Sequence, residues 1–269
     1  MRPINLIYFV LPFLTSAQMA EKIQMDKELF ICYGKISPAM VQGYELVVLE
    51  AQHYTSKEIE LFKTNNSKVL GYLSVTEVNM SATHYEKIRE YTFGQNVNWG
   101  SCFIDISDKK AQDILLTIAN ELVSKGLDGF FLDNLDNASQ WGRLKGQKDN
   151  LLKLIGRIRQ ANPSLCIVQN SGLFVANQLK HITDAVVIES VFTDYDFKNK
   201  KYGYKYEQER TKIVKELKAF RKSLKKPLII VEYVDNEVMR KTIETQLKEL
   251  GFGYFIANID LQTKPEFTE

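Results

Sequence analysis

The sequence is organised as eight short apolar runs that alternate with longer amphipathic segments, and this alternation is the strongest constraint on its fold. Short, almost uninterrupted apolar runs are typical of parallel strands that are buried on both faces. Segments with apolar residues three and four positions apart are typical of helices that pack on a sheet by one face. The eight runs are Leu29–Gly34, Leu46–Glu50, Val69–Ser74, Gly129–Asp133, Leu165–Asn170, Ala185–Glu189, Leu228–Tyr233 and Gly253–Asn258.

Strands and helices that alternate along a whole chain predict a parallel sheet covered by helices. Eight such units in 269 residues predict a single (β/α)8 barrel, the α/β architecture called the TIM barrel. An open, doubly wound sheet is the alternative, but no Gly-x-Gly-x-x-Gly phrase follows the first run. The first connection, of about eleven residues, is reduced and leaves room for a turn only. The third βα loop is long and contains an extra strand-like piece, Cys102–Ile106.

The clearest helix is predicted over Lys109–Lys125. Asp108 has the side chain of a helix N-cap, and Gly126 suits the left-handed residue that often ends a helix. The last helix is predicted to bury Val238 together with Ile243, because the apolar residues of that segment recur at helical spacing.

Composition excludes several functional classes. Charged residues make up 25% of the chain and the net charge is +2. The basic residues are scattered among acidic ones, so no nucleic-acid partner is expected, and the lysine-rich residues 198–205 are expected to form a solvated loop. The three cysteines and three histidines lack the spacing of a disulfide framework or a metal site. We therefore expect no metal and no cofactor. We also expect a monomeric protein.

The first 17 residues have the layout of a secretory signal peptide. Arg2 precedes an apolar stretch, residues 6–14, which is followed by the small residues Ser16 and Ala17. The stretch is interrupted by Pro12 and is shorter than the roughly 20 residues that span a bilayer. We predict a cleaved leader over residues 1–17 and a barrel domain over residues 18–269, without a membrane span in the mature chain. The expected location is secreted or periplasmic, and an uncleaved anchor is the alternative.

Two of the predicted strands end in a carboxylate. The apolar run before Asp133 passes straight into the acid, and the run before Glu189 does the same. The carboxyl ends of barrel strands meet at one face, where enzymes of this fold carry their active sites. A single strand-end acid is more often just the first residue of a loop. Two acids at one mouth, however, match the pair that glycoside hydrolysis requires.

The other strand ends add acidic, amide and aromatic side chains to the same mouth. Carboxylates and amides can hydrogen-bond sugar hydroxyls, and aromatic rings offer large apolar faces to sugar rings. We therefore predict a polysaccharide site in which Asp133 and Glu189 are catalytic. The predicted substrate-binding residues are Tyr33, Glu50, Glu77, Trp99, Asn134, Asp136, Asn170, Glu232 and Tyr233.

Four phrases resemble the endo-α-1,4-polygalactosaminidase family of glycoside hydrolases. They are Gly-Tyr-Leu-Ser-Val-Thr-Glu (71–77), Gly-Leu-Asp-Gly-Phe-Phe-Leu-Asp-Asn-Leu-Asp (126–136), Gln-Asn-Ser-Gly (169–172) and Val-Ile-Glu-Ser (187–190). The resemblance implies a (β/α)8 barrel that cleaves α-linked galactosamine polymers. It also implies that Asp133, on the fourth strand, and Glu189, on the sixth, form the catalytic pair. The seventh strand departs from the family phrase, because Glu232 stands where the family has Asp.

Within this hypothesis Asp133 is the nucleophile and Glu189 the general acid and base of a retaining mechanism. Inversion stays open, because it depends on the separation of the two carboxyl groups. Free amines on the sugar would pair with the surplus acids of the mouth. Two alternatives remain from the sequence: a non-catalytic carbohydrate-binding barrel, and a glycosidase acting on another cell-wall or amino-sugar glycan.

Overall fold

The computed structural model describes residues 25–269. Its strands are β1 (Leu29–Cys32), β2 (Leu46–Leu49), β3 (Lys68–Ser74), β4 (Glu77–Asn79), β5 (Thr92–Asn96), β6 (Ser101–Ile104), β7 (Gly129–Asp133), β8 (Cys166–Asn170), β9 (Ala185–Glu189), β10 (Thr193–Asp196), β11 (Lys201–Tyr204), β12 (Leu228–Tyr233) and β13 (Gly253–Ala257). Its helices are α1 (Ser56–Asn65), α2 (Tyr85–Ile88), α3 (Lys109–Ser124), α4 (Lys148–Ala161), α5 (Glu207–Leu224) and α6 (Glu237–Leu250).

Eight strands form one parallel sheet in the order β1, β2, β3, β7, β8, β9, β12, β13. The two ends of the sheet meet, because the Tyr33 N–H donates to the Leu261 carbonyl over 2.7 Å. The ring centroids of Phe30 and Phe255, in the first and last strands, also lie 5.4 Å apart. The predicted (β/α)8 barrel is confirmed, and the observed strands lie within two residues of the predicted bounds.

The helices begin where the sequence supplies capping side chains. The Asp108 carboxylate accepts from the Lys110 N–H over 2.7 Å and starts α3, as predicted. Thr55 and Glu58 form a reciprocal capping box at the start of α1. Gly251 ends α6 in the left-handed conformation, with φ at 65°.

Side chains along each barrel strand alternate between two packing environments. One row, which includes Val168, Val187 and Val231, packs in the barrel interior. The residues between them, such as Val186 and Ile230, pack beneath the surrounding helices. This alternation matters for function, because only the interior row points into the mouth at the carboxyl end of each strand.

The irregular connections carry structure of their own. The first is reduced to a 3₁₀ turn at Pro38–Met40, as predicted. The third holds a three-stranded antiparallel sheet in the order β4, β6, β5. The sixth holds the antiparallel hairpin of β10 and β11. Residues 198–200 form its exposed turn, in line with the expected solvated loop, whereas residues 201–204 form a strand because they pair with residues 193–196.

One predicted core residue is exposed. Val238 lies in the first turn of α6 and is 72% exposed. Met239 occupies the buried stripe instead, in line with Ile243 and Leu247, each four residues further along the helix.

No helix within residues 25–269 combines the length and apolar character needed to cross a bilayer. The predicted leader over residues 1–17, and the start of the predicted domain at residue 18, lie outside the described residues.

Candidate active site

The interior row of the barrel strands places most of the predicted site residues at one mouth. Tyr33, Glu50, Asp133, Asn170, Glu189 and Tyr233 each stand at or just after the carboxyl end of a barrel strand. Asp133, Asn170, Glu189 and Tyr233 are each two positions from an interior residue of their own strand, so the alternation of strand side chains directs them inward.

Asn170 joins the two candidate catalytic acids. Its Nδ2 donates to Asp133 Oδ1 over 2.8 Å and to Glu189 Oε1 over 2.6 Å. The two carboxylate oxygens are therefore no more than about 5.4 Å apart, the sum of these two distances. An amide nitrogen carries two hydrogens, so one asparagine can donate to both acids at once.

Asp133 lies among donors that favour its ionised form. The Tyr72 hydroxyl donates to Asp133 Oδ2 over 2.9 Å, and the Asn134 N–H also bonds to this carboxylate. Burial nevertheless raises the pKa of Asp133 above its ordinary value, and the hydrogen bonds counteract part of that rise. The ring of Tyr33 packs against Tyr72, with centroids 4.7 Å apart, and shields this side of the pair.

The surroundings of Glu189 favour its protonated form. Burial, followed by the nearby charge of Asp133, raises the pKa of Glu189 to about 7. Hydrogen bonds from Asn170 and Tyr233 oppose this rise. Two carboxyl groups that share a buried site do not both ionise easily. The arrangement therefore favours one ionised and one protonated acid at neutral pH.

The backbone turns sharply immediately after each of the three central side chains. Asn134, Ser171 and Ser190 have left-handed conformations, with φ values of 63°, 56° and 54°. Such conformations are uncommon for residues other than glycine and cluster at functional sites. The Asn134 side chain also donates to Ser74 Oγ over 2.9 Å and to the Tyr72 hydroxyl over 3.4 Å, which ties the fourth strand end to the third.

Of two further acids, Asp136 lies close to both members of the pair and Glu50 lies close to Tyr72. Glu50 follows β2, and burial raises its pKa to about 7. Asp136 accepts from the Gly172 N–H over 3.2 Å, and burial raises its pKa as well. Gly172 has φ at +69°, and a Cβ there would lie 2.8 Å from the Leu135 side chain, so glycine suits this close approach.

Glu77 was predicted to bind substrate, but its carboxylate is already occupied. It is 4% exposed and accepts from Asn137 over 2.8 Å, from Asn96 over 3.3 Å and from Ser101 Oγ. These donors connect the third loop to the fourth. The structure corrects the prediction: Glu77 organises the loops and exposes too little surface for direct contact with a substrate.

Glu232 was also predicted to bind substrate, and this prediction was wrong. The side chain is 0% exposed and lies on the helix-facing side of β12, beside Val231 and Tyr233, which face the interior. Adjacent strand residues point to opposite faces, so Glu232 cannot enter the mouth alongside Tyr233. Burial raises the pKa of Glu232 to about 7.

Aromatic side chains connect the third loop to the sixth. Trp99, which is 47% exposed, meets Phe197 with ring centroids 5.2 Å apart. Phe197 contacts Tyr195 at 5.0 Å, and Tyr195 contacts Tyr202 at 4.8 Å. The Tyr202 hydroxyl accepts from the Ile259 N–H over 3.0 Å, beyond the last barrel strand. An aromatic series thus links loops that leave three different barrel strands.

Sequence reasoning missed Tyr72, Phe197 and Asn137. The signal for Tyr72 was present, because it stands two positions before Ser74 in β3 and so shares its face. Phe197 and Asn137 owe their positions to loop contacts that no local pattern reveals. Within residues 25–269 no group of three or more histidine, cysteine or acidic side chains is arranged to hold a metal ion.

Comparisons with known proteins support a carbohydrate-active barrel. The sequence model of glycoside-hydrolase family GH114 matches residues 15–268. The glycoside hydrolase domain of PelA from Pseudomonas aeruginosa is 24% identical, with a TM-score of 0.77 over 88% of this chain and 96% of that one. Ega3 from Aspergillus fumigatus, solved with galactosamine, is 15% identical, with a TM-score of 0.70 over 89% of this chain and 93% of that one.

A more distant similarity is to the α-galactosidase TtGalA from Thermus thermophilus. It is 11% identical, with a TM-score of 0.55 over 85% of this chain and 57% of that one. A search of curated proteins found no match. At these identities the structural similarities establish the fold, while the family match covers nearly the whole chain. The chain therefore belongs to glycoside-hydrolase family GH114 and is a glycosidase.

Proposed function

We propose that the protein cleaves an α-linked, galactosamine-containing polysaccharide with retention of configuration. Asp133 is the nucleophile, and Glu189 is the general acid and base. The observation that carries this proposal is the Asn170 amide, which bonds both carboxyl groups and limits their nearest oxygens to about 5.4 Å. This upper limit allows the roughly 5–5.5 Å of retaining glycosidases and lies below the roughly 6.5–9.5 Å of inverting ones.

The first step forms a covalent glycosyl-enzyme. An Asp133 oxygen attacks the anomeric carbon, the bond from that carbon to the leaving oxygen breaks, and the Glu189 proton moves to the leaving oxygen. The second step releases the sugar. Glu189, now ionised, takes a proton from water, the water oxygen attacks the anomeric carbon, and the bond to Asp133 breaks.

The protonation states required by these steps agree with the surroundings of the two acids. Asp133 accepts hydrogen bonds from the Tyr72 hydroxyl, the Asn170 amide and the Asn134 N–H, and these bonds stabilise its ionised form. The raised pKa of Glu189, about 7, keeps a proton available for the leaving group near neutral pH. After the first step neutralises Asp133 as an ester, the pKa of Glu189 falls, and the residue becomes a base for water.

The acids beside the pair support an amino sugar as substrate. Glu50 and Asp136 border the mouth, and an ammonium group would offset the burial that raises their pKa values. Ega3, a similar barrel, was solved with galactosamine.

The half-exposed Trp99 and Phe197 supply apolar surface for the sugar rings of a long substrate. The third and sixth loops, which carry these rings, meet through them. A polymer lying along the mouth would therefore contact both loops, which supports cleavage within a chain rather than removal of single end residues.

Two measurements on one reaction test the proposal. The purified protein is incubated with a panel of amino-sugar and neutral polysaccharides, and reducing ends are counted. For the polymer that is cleaved, proton NMR then follows the first-formed anomer. We expect α-linked galactosamine polymers to be cleaved and the α-anomer to appear first. Cleavage confined to neutral glycans would contradict the proposed amino-sugar substrate. Appearance of the β-anomer first would contradict the proposed retention of configuration.

We also propose that residues 1–17 are a cleaved signal peptide and that residues 18–269 form the exported enzyme. The basic start, the short apolar stretch and the small residues at its end support this. Amino-terminal sequencing of protein recovered outside the cytoplasm should begin near Gln18. An intact Met1 on exported protein would favour an uncleaved anchor.

A further inference from the structure

We propose that Glu232 is a positioning residue for Glu189: its buried carboxylate fixes the backbone that follows the catalytic acid. The inference rests on the proposed role of Glu189 as general acid and base. It assigns a function to a charged side chain that the mechanism itself does not use.

Four hydrogen bonds converge on the Glu232 carboxylate. Oε1 accepts from the Val191 and Phe192 N–H groups, each over 2.8 Å. Oε2 accepts from the Thr193 N–H over 2.9 Å and from Thr193 Oγ1 over 2.6 Å. All four donors belong to residues 191–193, which begin two positions after Glu189. A fully buried carboxylate is costly without partners, and here every donor comes from one short segment.

The backbone between Glu189 and the residues that bond Glu232 has little conformational freedom. The Ser190 N–H donates to the Val231 carbonyl over 2.8 Å, and Ser190 is held in a left-handed conformation. Thr193 Oγ1, which donates to Glu232, also accepts from the Tyr233 N–H over 3.2 Å. Tyr233 in turn bonds the Glu189 carboxyl. Two adjacent residues of β12 thus hold Glu189. Tyr233 bonds its carboxyl group, and Glu232 fixes the backbone that follows it.

The same anchor fixes the base of the sixth-loop hairpin. The Phe192 carbonyl accepts from the Lys205 N–H over 2.9 Å, which closes the hairpin of β10 and β11 beside the Glu232 contacts. Catalytic groups must be held to within a fraction of an ångström, and supporting hydrogen bonds provide that constraint.

An ionised carboxylate satisfies all four donors of this segment. It presents two oxygens that accept all four bonds, whereas glutamine keeps one carbonyl oxygen and turns an NH2 group toward N–H donors. Glu232→Gln therefore preserves size but loosens residues 191–193. We expect Glu189 to be misplaced relative to the leaving oxygen, while Asp133, which is held by Tyr72 and Asn170, stays in position.

Sensitivity to the leaving group separates positioning from general structural damage. A polysaccharide leaving group needs the Glu189 proton, whereas an activated aryl leaving group does not. We expect Glu232→Gln to lower kcat on galactosamine polymer by about 10²-fold, and to lower the release of nitrophenol from an aryl glycoside of a galactosamine oligomer by less than about tenfold. The KM values should change little.

Three variants are compared with the parent protein, with a thermal unfolding curve for each. Glu189→Gln serves as the positive reference. Glu244→Gln is the matched control, because this partly buried carboxylate also accepts from several side chains but lies on α6, and it should leave both activities unchanged. Thr193→Val removes one of the four donors and should give a smaller loss with the same leaving-group dependence, even if Glu232→Gln does not fold.

The outcomes are distinguishable. Equal losses on both substrates in Glu232→Gln, or in Thr193→Val where the first variant does not fold, would overturn the positioning role while the proposed function stands. A Glu189→Gln variant without leaving-group dependence would overturn the role of Glu189 itself, and the positioning proposal with it.

Discussion

At the residue scale, the decisive feature is one asparagine between two acids. Asn170 Nδ2 donates to both carboxyl groups, and Tyr72 and Tyr233 each add a donor on opposite sides of the pair. Asp133 receives more hydrogen bonds than Glu189, so the shared charge resides mainly on Asp133. The assignment of nucleophile and acid follows from this difference in surroundings.

A pH profile tests that assignment. The first step requires ionised Asp133 and protonated Glu189, so kcat/KM should fall in acid and fall again in alkali with a midpoint near the Glu189 pKa of about 7. With an activated aryl substrate, kcat/KM of Glu189→Gln should lose the alkaline limb, because no proton is needed, and should keep the acid limb. Measuring kcat/KM from about pH 4 to about pH 9 shows both limbs. An unchanged alkaline limb in the variant would refute the role of Glu189.

Much of the site could be predicted at this scale, and one error was avoidable. Strand ends and acid pairs pointed to Asp133 and Glu189, which the fold brings together. Glu232 and Tyr233 were both predicted at the mouth, although adjacent strand residues must face opposite sides. Tyr72 was missed, although it shares a face with Ser74. The contacts of Glu77 could not be predicted, because its partners belong to separate parts of the third and fourth loops.

At the element scale, the third and sixth loops define the mouth. The antiparallel sheet of β4, β6 and β5 presents Trp99, and the hairpin of β10 and β11 presents Phe197. The barrel strands were predictable from continuous apolar runs. Of the smaller sheets only β6 was predicted, as the strand-like piece Cys102–Ile106. The other four strands were not predicted, because they are short, largely polar and defined by their pairing rather than by periodicity.

Substitution of Trp99 tests the role of these loops. Trp99→Ala removes a large apolar face that is distant in sequence from the acids, so it should raise KM for polymer about tenfold and leave kcat on a short aryl glycoside nearly unchanged. Trp141→Ala provides a matched control, because Trp141 is 88% exposed but forms no ring pair with Trp99, Phe197, Tyr195 or Tyr202. A loss of kcat on the short substrate would show that Trp99 acts on the chemistry instead.

At the scale of the whole molecule, the barrel buries carboxyl groups whose ionisation lowers the stability of the folded state. Burial raises the pKa of Glu50 to about 7 from an ordinary value of 4.5. The folded state therefore binds a proton that the unfolded state has released between these two values. Stability contributed by the protonated carboxyl is complete below about pH 4.5 and is lost as the pH rises through about 7.

Glu50→Gln should remove this loss of stability at high pH. The amide carries no charge at any pH, so the Tm of the variant minus that of the parent protein should be larger at pH 8 than at pH 5, by about 2–6 °C. Thermal unfolding in paired buffers measures the difference. A Tm difference that does not change with pH would show that Glu50 ionises freely in the folded protein.

The most direct test of the central claim is to locate the covalent intermediate. The Glu189→Gln variant is mixed with an activated aryl glycoside of a galactosamine oligomer, digested at low pH and analysed by peptide mass spectrometry. The first step needs no acid with this substrate, and the second step lacks its base, so the glycosyl-enzyme should accumulate. We predict a glycosyl ester on the peptide that contains Asp133, and none in a variant that also carries Asp133→Asn. Turnover without any adduct, or an adduct on another carboxylate, would contradict the account.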